Sequence, residues 1–188
     1  QQLDQFVLGA VGVLVLVHQH MAKAAVPVAP HLLVLRQQLH RQQIFISAAA
    51  VADYRPVKTS AQKLKKHAAT LTLKLERTSD ILADVARSHQ RPFVVGFAAE
   101  TDNLETHARA KLEKKSLDMI AANRVGRDAN AQDIGFNSEY NALHVLWTDG
   151  EQVLEQARKT TLARTLINLV AHQYRQSRQH EKNTAQGS

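Results

Sequence analysis

The stretch IFISAAAVADYRP (44–56) decides how the rest of the chain is read. IFISAAAV (44–51) is a short run of small, apolar and β-branched residues, the texture of a central parallel strand buried on both faces. Ala48, Ala49 and Ala50 carry almost no side-chain bulk, so a flat ring can approach the backbone closely there. Asp53 follows two residues past Val51, at what would be the strand's carboxyl end, where ligands of open α/β sheets sit.

Working outward, strands and helices alternate. LTLKLE (71–76) sets Leu71, Leu73 and Leu75 against polar neighbours and reads as a half-exposed strand. SDILADVARSH (79–89) reads as a helix with Thr78 or Ser79 as N-cap, Asp80 in the first turn and Pro92 beyond its end. FVVGFA (93–98) is a second buried strand. NLETHARAKLEKK (103–115) lines up Leu104, Ala108 and Leu112 as a helical stripe. LDMIAAN (117–123) is the next strand, followed by a loop to about residue 140. ALHVLW (142–147) is another, closed by the turn at Asp149–Gly150. A long helix over about 157–176 buries Leu162, Leu166, Leu169 and Val170, and residues 177–188 form a polar tail expected to be disordered. Such alternation predicts an α/β fold, a Rossmann-like and mainly parallel sheet with helices on both faces.

Composition narrows the chemistry. The 188 residues suffice for one domain with a substantial core. With no Cys, disulfides, thiolate metal sites and thiol nucleophiles are excluded. A formal net charge of +7 points to an anionic partner. Aromatic residues make up only 5% and do not interleave with basic clusters, which argues against a nucleic-acid surface. FVLGAVGVLVLV (6–17) has 12 residues, short of the roughly 20 of a spanning helix, and reads as a buried strand or hairpin, so no membrane association is expected. The histidines of HQH (18–20) lack a third ligand at metal-site spacing.

The candidate site lies past strand 44–51. Arg55, Lys58, Lys63, Lys65 and Lys66 fall in a span, 54–69, without any acid. That is either a triphosphate site or a solvated basic loop. Asp53 can accept hydrogen bonds from ribose hydroxyls. Lys111 and Lys115 share one face of their helix, a mild repulsion that a bound polyanion would reverse. Gly96 suggests close backbone approach within a strand, here to a ligand, and Phe97 is either a base-stacking ring or a core residue. Glu100, at a strand's carboxyl end, either holds Mg²⁺ or caps the following helix. GFNSEYN (135–141) is a turn-rich loop that binds ligand or only orders itself. No catalytic triad or paired-carboxylate signature occurs.

AAVADYRP (49–56) followed by QKLKK (62–66), LTLKLERTSDIL (71–82), RPFVVGFAAET (91–101), ARAKLEKKSLDMIAAN (108–123) and GFNSEYNAL (135–143) resemble, in order, phosphopantothenate–cysteine ligase. This is the CTP-using kind, often fused behind a flavin-dependent decarboxylase, and the resemblance covers residues 44–176. It implies a coenzyme A biosynthesis enzyme, cytoplasmic and dimeric. Its substrates would be phosphopantothenate and cysteine, its co-substrate CTP with Mg²⁺, and no flavin is expected in this chain. By matching position it implies cytosine contacts around Ser47, Ala48 and Ala49, Asp53 near the ribose, and Lys63 as the catalytic lysine neutralising phosphate. Ser79, Asp80, Ile81 and Leu82 would form a further nucleotide-contacting turn, and Phe97, Lys111 and Lys115 would complete the pocket. Thr78-Ser79 stand where the family usually has Asn-Pro, and Ser47 replaces a usual Gly.

Residues 1–43 depart from the pattern. Neither the phosphate-binding TxGxT turn nor the SNxSSGxMG segment of the family occurs there. The expectation is an aberrant, frame-shifted or truncated N-terminal part ahead of a ligase remainder over 44–176, the alternative being a divergent but folded substitute for the missing segment. The alternative to a working ligase is a catalytically incomplete CTP-binding fragment.

Overall fold

The computed structural model describes residues 2–8, 11–17, 39, 41–48, 52–58, 70–127, 133–134 and 138–186. Its centre is one sheet of seven strands: β1 (Gln2–Leu8), β2 (Val11–Val17), β3 (Ile44–Ser47), β6 (Phe93–Glu100), β7 (Met119–Arg124), β10 (Tyr140–Trp147) and β11 (Gly150–Arg158), side by side in that order. The four middle strands β2, β3, β6 and β7 are parallel. β1, β10 and β11 join antiparallel at the flanks. The expected α/β sheet is therefore parallel at its centre and antiparallel at both edges.

The parallel centre follows from local sequence. Ile44, Phe45 and Ile46 are all buried, as a strand covered on both faces requires. Side chains alternate across the sheet. Phe45, Val94 and Ile120 enter one core with Ile81, Val85, Ala108 and Leu112. Ile44, Ile46, Val95 and Met119 enter the other with Leu162, Leu166 and Val170. Helices α1 (Ile81–Ala86) and α2 (Leu104–Lys114) thus cover one face and α3 (Lys159–Gln186) the other. The stripes expected from Ala108 and Leu112, and from Leu162, Leu166 and Val170, are the ones buried.

Several local expectations are corrected. The 79–89 helix is only α1, and Asp80 is its N-cap rather than a first-turn residue, accepting from Ala83 N at 3.1 Å. Of LTLKLE, only Leu75–Arg77 is a strand, β5; it pairs with β4 (Tyr54–Pro56) in a separate ribbon. Leu75 on this ribbon and Leu71 and Leu73 in the segment before it are all exposed, up to 71% at Leu71, because among the described residues no layer covers them. The 150–158 segment, rich in Glu and Gln, is strand β11 returning from the 148–149 turn. Within the 125–139 loop a short pair, β8 (Gly126–Arg127) with β9 (Asp133–Ile134), forms.

At the ends, one expectation is met and one is corrected. β1 and β2 form the hairpin expected of the apolar N-terminal run, and β2 continues the sheet by pairing with β3, Val13 opposite Ile44. The tail expected to be disordered is helical as far as Gln186. Good helix formers, the Arg178–Glu181 pair at 2.7 Å and a Thr184 hydroxyl donating to His180 O continue the helix past its apolar stripe. No helix among the described residues is long and apolar enough to cross a membrane.

Candidate functional site

The site is built where β3 and β6 end and α1 begins. Thr78 ties the two segments together: its N–H donates to Asp53 O at 2.9 Å and its hydroxyl to Ala52 O at 2.5 Å. The loop leaving β3 is thereby docked on the turn that enters α1, and Asp53 and the Ser79–Leu82 turn lie side by side. Ser47 is buried at the end of β3, Ala48 is exposed beside it, and Ile81 is buried in the core under the turn.

The N-cap of α1 then reaches α2. Asp80 Oδ2 lies 2.9 Å from Lys115 Nζ, so one carboxylate caps α1 and anchors the lysine at the end of α2. Burial alone would raise the Asp80 pKa. The hydrogen bonds from Lys115 and from Ala83 N–H, with the charges of Lys115 and Arg87, outweigh it and hold the carboxyl below 3.8. One turn earlier on α2, Lys111 Nζ donates to Glu100 Oε1 at 2.5 Å, and His107 Nδ1 stands 3.4 Å from Glu100 Oε2. Lys111 is thus held by a carboxylate at the carboxyl end of β6, and Lys115, which closes α2, by the N-cap of α1.

Other predicted residues fall differently. Gly96 is not opened toward a ligand: a Cβ there would stand 2.8 Å from Leu117 Cδ1 and 3.1 Å from Leu82 Cδ2, so the missing side chain admits the core. Phe97 is 37% exposed but shares its sheet face with Phe93 and Val95, opposite to the lysines of α2. Glu100 does not cap α2, whose N-cap is Asn103 in the left-handed region at φ 44° with no side-chain cap bond. Arg55, counted among the free cations, is paired with Glu76 across the β4–β5 ribbon at 2.8 Å. Ala49, Lys63, Lys65 and Lys66 lie outside the described residues, as do Gly135, Phe136 and Asn137 of the GFNSEYN loop.

Some structured polar groups escaped the sequence reading. Arg91 donates to Ala86 O and Ser116 O and pairs with Asp118, whose other oxygen accepts from Val94 N at 2.7 Å. Burial raises the Asp118 pKa, against the opposing pull of Val94 N–H and Arg91. This staple joins the amino ends of β6 and β7, the end remote from Glu100. It borders an open cleft of about 450 Å³ that Trp147, Asp149 and His180 also line. Arg109 on α2 reaches Glu151 on β11 at 2.8 Å, with His144 Nε2 3.4 Å from the same oxygen. No spacing rule links such residues, since each pair joins different elements.

Comparison with known proteins identifies the family and the fold. The model of the DNA/pantothenate metabolism flavoprotein C-terminal domain matches residues 10–174, beginning well before residue 44, where the family motifs start. Coenzyme A biosynthesis bifunctional protein CoaBC of Escherichia coli (strain K12) is 45% identical over 140 residues, 72% of this chain and 34% of that protein. Its Vibrio cholerae counterpart is 47% identical over 134 residues, 70% of this chain and 33% of that protein. The chain thus spans about a third of the length of these relatives. The crystal structure of the C-terminal domain of coenzyme A biosynthesis bifunctional protein CoaBC superimposes with a TM-score of 0.56 at 29% identity, covering 76% of this chain and 60% of that one. With the parallel centre, the two-sided helical cover and the ordered motifs in agreement, the chain belongs to the DNA/pantothenate metabolism flavoprotein C-terminal domain family.

Proposed function

We propose that this chain is the ligase part of a coenzyme A biosynthesis enzyme, joining 4'-phosphopantothenate to cysteine through an acyl-cytidylate made from CTP. The observation that carries the reading is that Lys115 meets the Ser79–Leu82 turn at Asp80, while Thr78 docks that turn on the Asp53 loop and Lys111 stands one helical turn from Lys115. Those segments are also the ones that carry the family motifs.

In this reading the backbone of Ser47, Ala48 and Ala49 receives cytosine and Asp53 accepts from the ribose hydroxyls. Lys63, Lys111 and Lys115 neutralise the triphosphate, and Phe97 borders the pocket from the other sheet face. The phosphopantothenate carboxylate attacks the α-phosphorus, the bond to the β-phosphate breaks, and pyrophosphate leaves. The amine of cysteine then attacks the acyl carbon; CMP departs and an amide remains. Neither step needs a protein nucleophile, which suits a chain without Cys. Charge neutralisation and positioning supply the catalysis.

No group of three or more His, Asp or Glu side chains among the described residues is arranged to hold a metal. Mg²⁺ bound together with the triphosphate would offset charge on the departing pyrophosphate. The dimeric state and the cytoplasmic location implied by the resemblance belong to the same proposal, as does the absence of flavin.

The test is pyrophosphate release from CTP with phosphopantothenate, Mg²⁺ and cysteine, run beside Lys63→Ala and Lys111→Ala. Release by the parent that falls at least tenfold in both variants, about 1.4 kcal/mol in barrier height, is expected. One specific observation favours the second reading: the SNxSSGxMG segment is missing. No release, with CTP bound by the parent and not by Lys63→Ala, would identify an incomplete CTP-binding fragment. A parent that neither binds CTP nor releases pyrophosphate would sink both readings.

A further inference from the structure

The two lysines of α2 are held by unlike carboxylates. Asp80, the partner of Lys115, is 46% exposed and has a second occupation as the cap of α1. Water screens such a pair, and losing it costs little. Glu100, the partner of Lys111, is only 13% exposed. A carboxylate so shielded is costly to leave without a cation, so its hold on Lys111 at 2.5 Å is the stronger one. His107 stands at its other oxygen, one helical turn before Lys111 and on the same face of α2. With its proton on Nδ1, the imidazole offers Glu100 a donor when the ammonium swings away.

An anionic side chain bound to a phosphate-binding lysine opposes the ligand, both by repelling it and by competing for that lysine. We infer that Glu100 is a positioning residue that competes with phosphate for Lys111. It holds the ammonium while the site is empty, gives it up to the triphosphate with His107 remaining as its partner, and recaptures it as pyrophosphate leaves. The consequence is weaker ground-state binding and faster release of the anionic product. This rests on the reading of Lys111 as a phosphate ligand.

The experiment is calorimetric titration of the full chain with CTP and, separately, with inorganic pyrophosphate. Glu100→Gln keeps the shape and removes the charge. It is expected to bind both anions about tenfold more tightly, the size of effect one removed charge has at a few ångströms in partly screened surroundings. In a Lys111→Ala background the same substitution should change affinity much less, because the competition is gone. In turnover, Glu100→Gln should lower the KM for CTP and make pyrophosphate a stronger inhibitor. Glu100→Asp retracts the carboxylate from Lys111 and should tighten pyrophosphate binding by a smaller factor, which keeps the test open if the Gln variant does not fold. Unchanged or weaker binding in the folded Glu100 variants, with the parent binding CTP normally, overturns the competition alone. A parent that binds neither anion, or binds both equally well as Lys111→Ala, overturns the phosphate-ligand reading beneath it.

Discussion

Asp80 does two things with one carboxylate: it caps α1 through Ala83 N and holds Lys115 of α2. Asp80→Ala is expected to cost about 1 kcal/mol in urea unfolding, the ordinary worth of an N-cap, since the ion pair is too exposed to add much. Its pH dependence has a definite sign. The folded carboxyl titrates below 3.8, so between the two values the unfolded chain binds more protons and stability rises with pH. The stability difference between the parent and Asp80→Asn should therefore be constant above about pH 4 and shrink as the pH falls through the folded value. A difference that persists undiminished at pH 2 would contradict the assignment. Asp118 runs the other way: burial raises its folded pKa, so its contribution falls as pH climbs from 3.8 through that raised value. Neither role could be read from the chain alone. Asp80 was visible as an acid near a helix start, but whether it caps or merely follows the cap depends on backbone angles at one residue.

At the scale of elements, the spacing between β6 and α1 controls the site. Gly96 lets Leu82 of α1 and Leu117 approach the strand to within contact of where a Cβ would stand. Gly96→Ala must push those two side-chain ends aside, and it is expected to destabilise by about 1–3 kcal/mol as an overpacked core position. Because Leu82 sits two residues past Asp80, the same substitution should also weaken CTP binding, measured in the same titration. An alanine variant as stable as the parent would mean that Leu117 and Leu82 yield freely. The glycine is conspicuous in the sequence, but that its neighbours are Leu82 and Leu117 and not a ligand is not legible there, because a strand's pattern reports which face is buried and not what lies on it. β11 was missed for a related reason. GEQVLEQAR has helix-forming composition, and its pairing with β10 overrides propensity.

For the whole molecule, burial separates residues that look alike in sequence. Leu73 belongs to an alternating run and Leu166 to a helical stripe, but Leu73 is exposed and Leu166 is in the core beneath the sheet. Leu73→Ser is expected to shift stability by no more than about 0.5 kcal/mol, and Leu166→Ala to cost about 2–5 kcal/mol, both by chemical denaturation. Comparable losses at the two positions would show that Leu73 is covered in solution. The buried strands at 44, 93 and 119, the apolar stripes of α2 and α3, and the ordered motifs that mark the family are legible in the residues alone. Those are local properties: a strand's two-sided burial and a helix's stripe are written within a few neighbouring residues. Only the tertiary structure decided that the N-terminal hairpin extends the parallel centre, that β10 and β11 turn antiparallel, and that Lys111 meets Glu100 while Lys115 meets Asp80. Pairings of that kind join segments with no fixed separation along the chain. They arise when packed helices and sheet point particular side chains at one another, and periodicity carries no record of that direction.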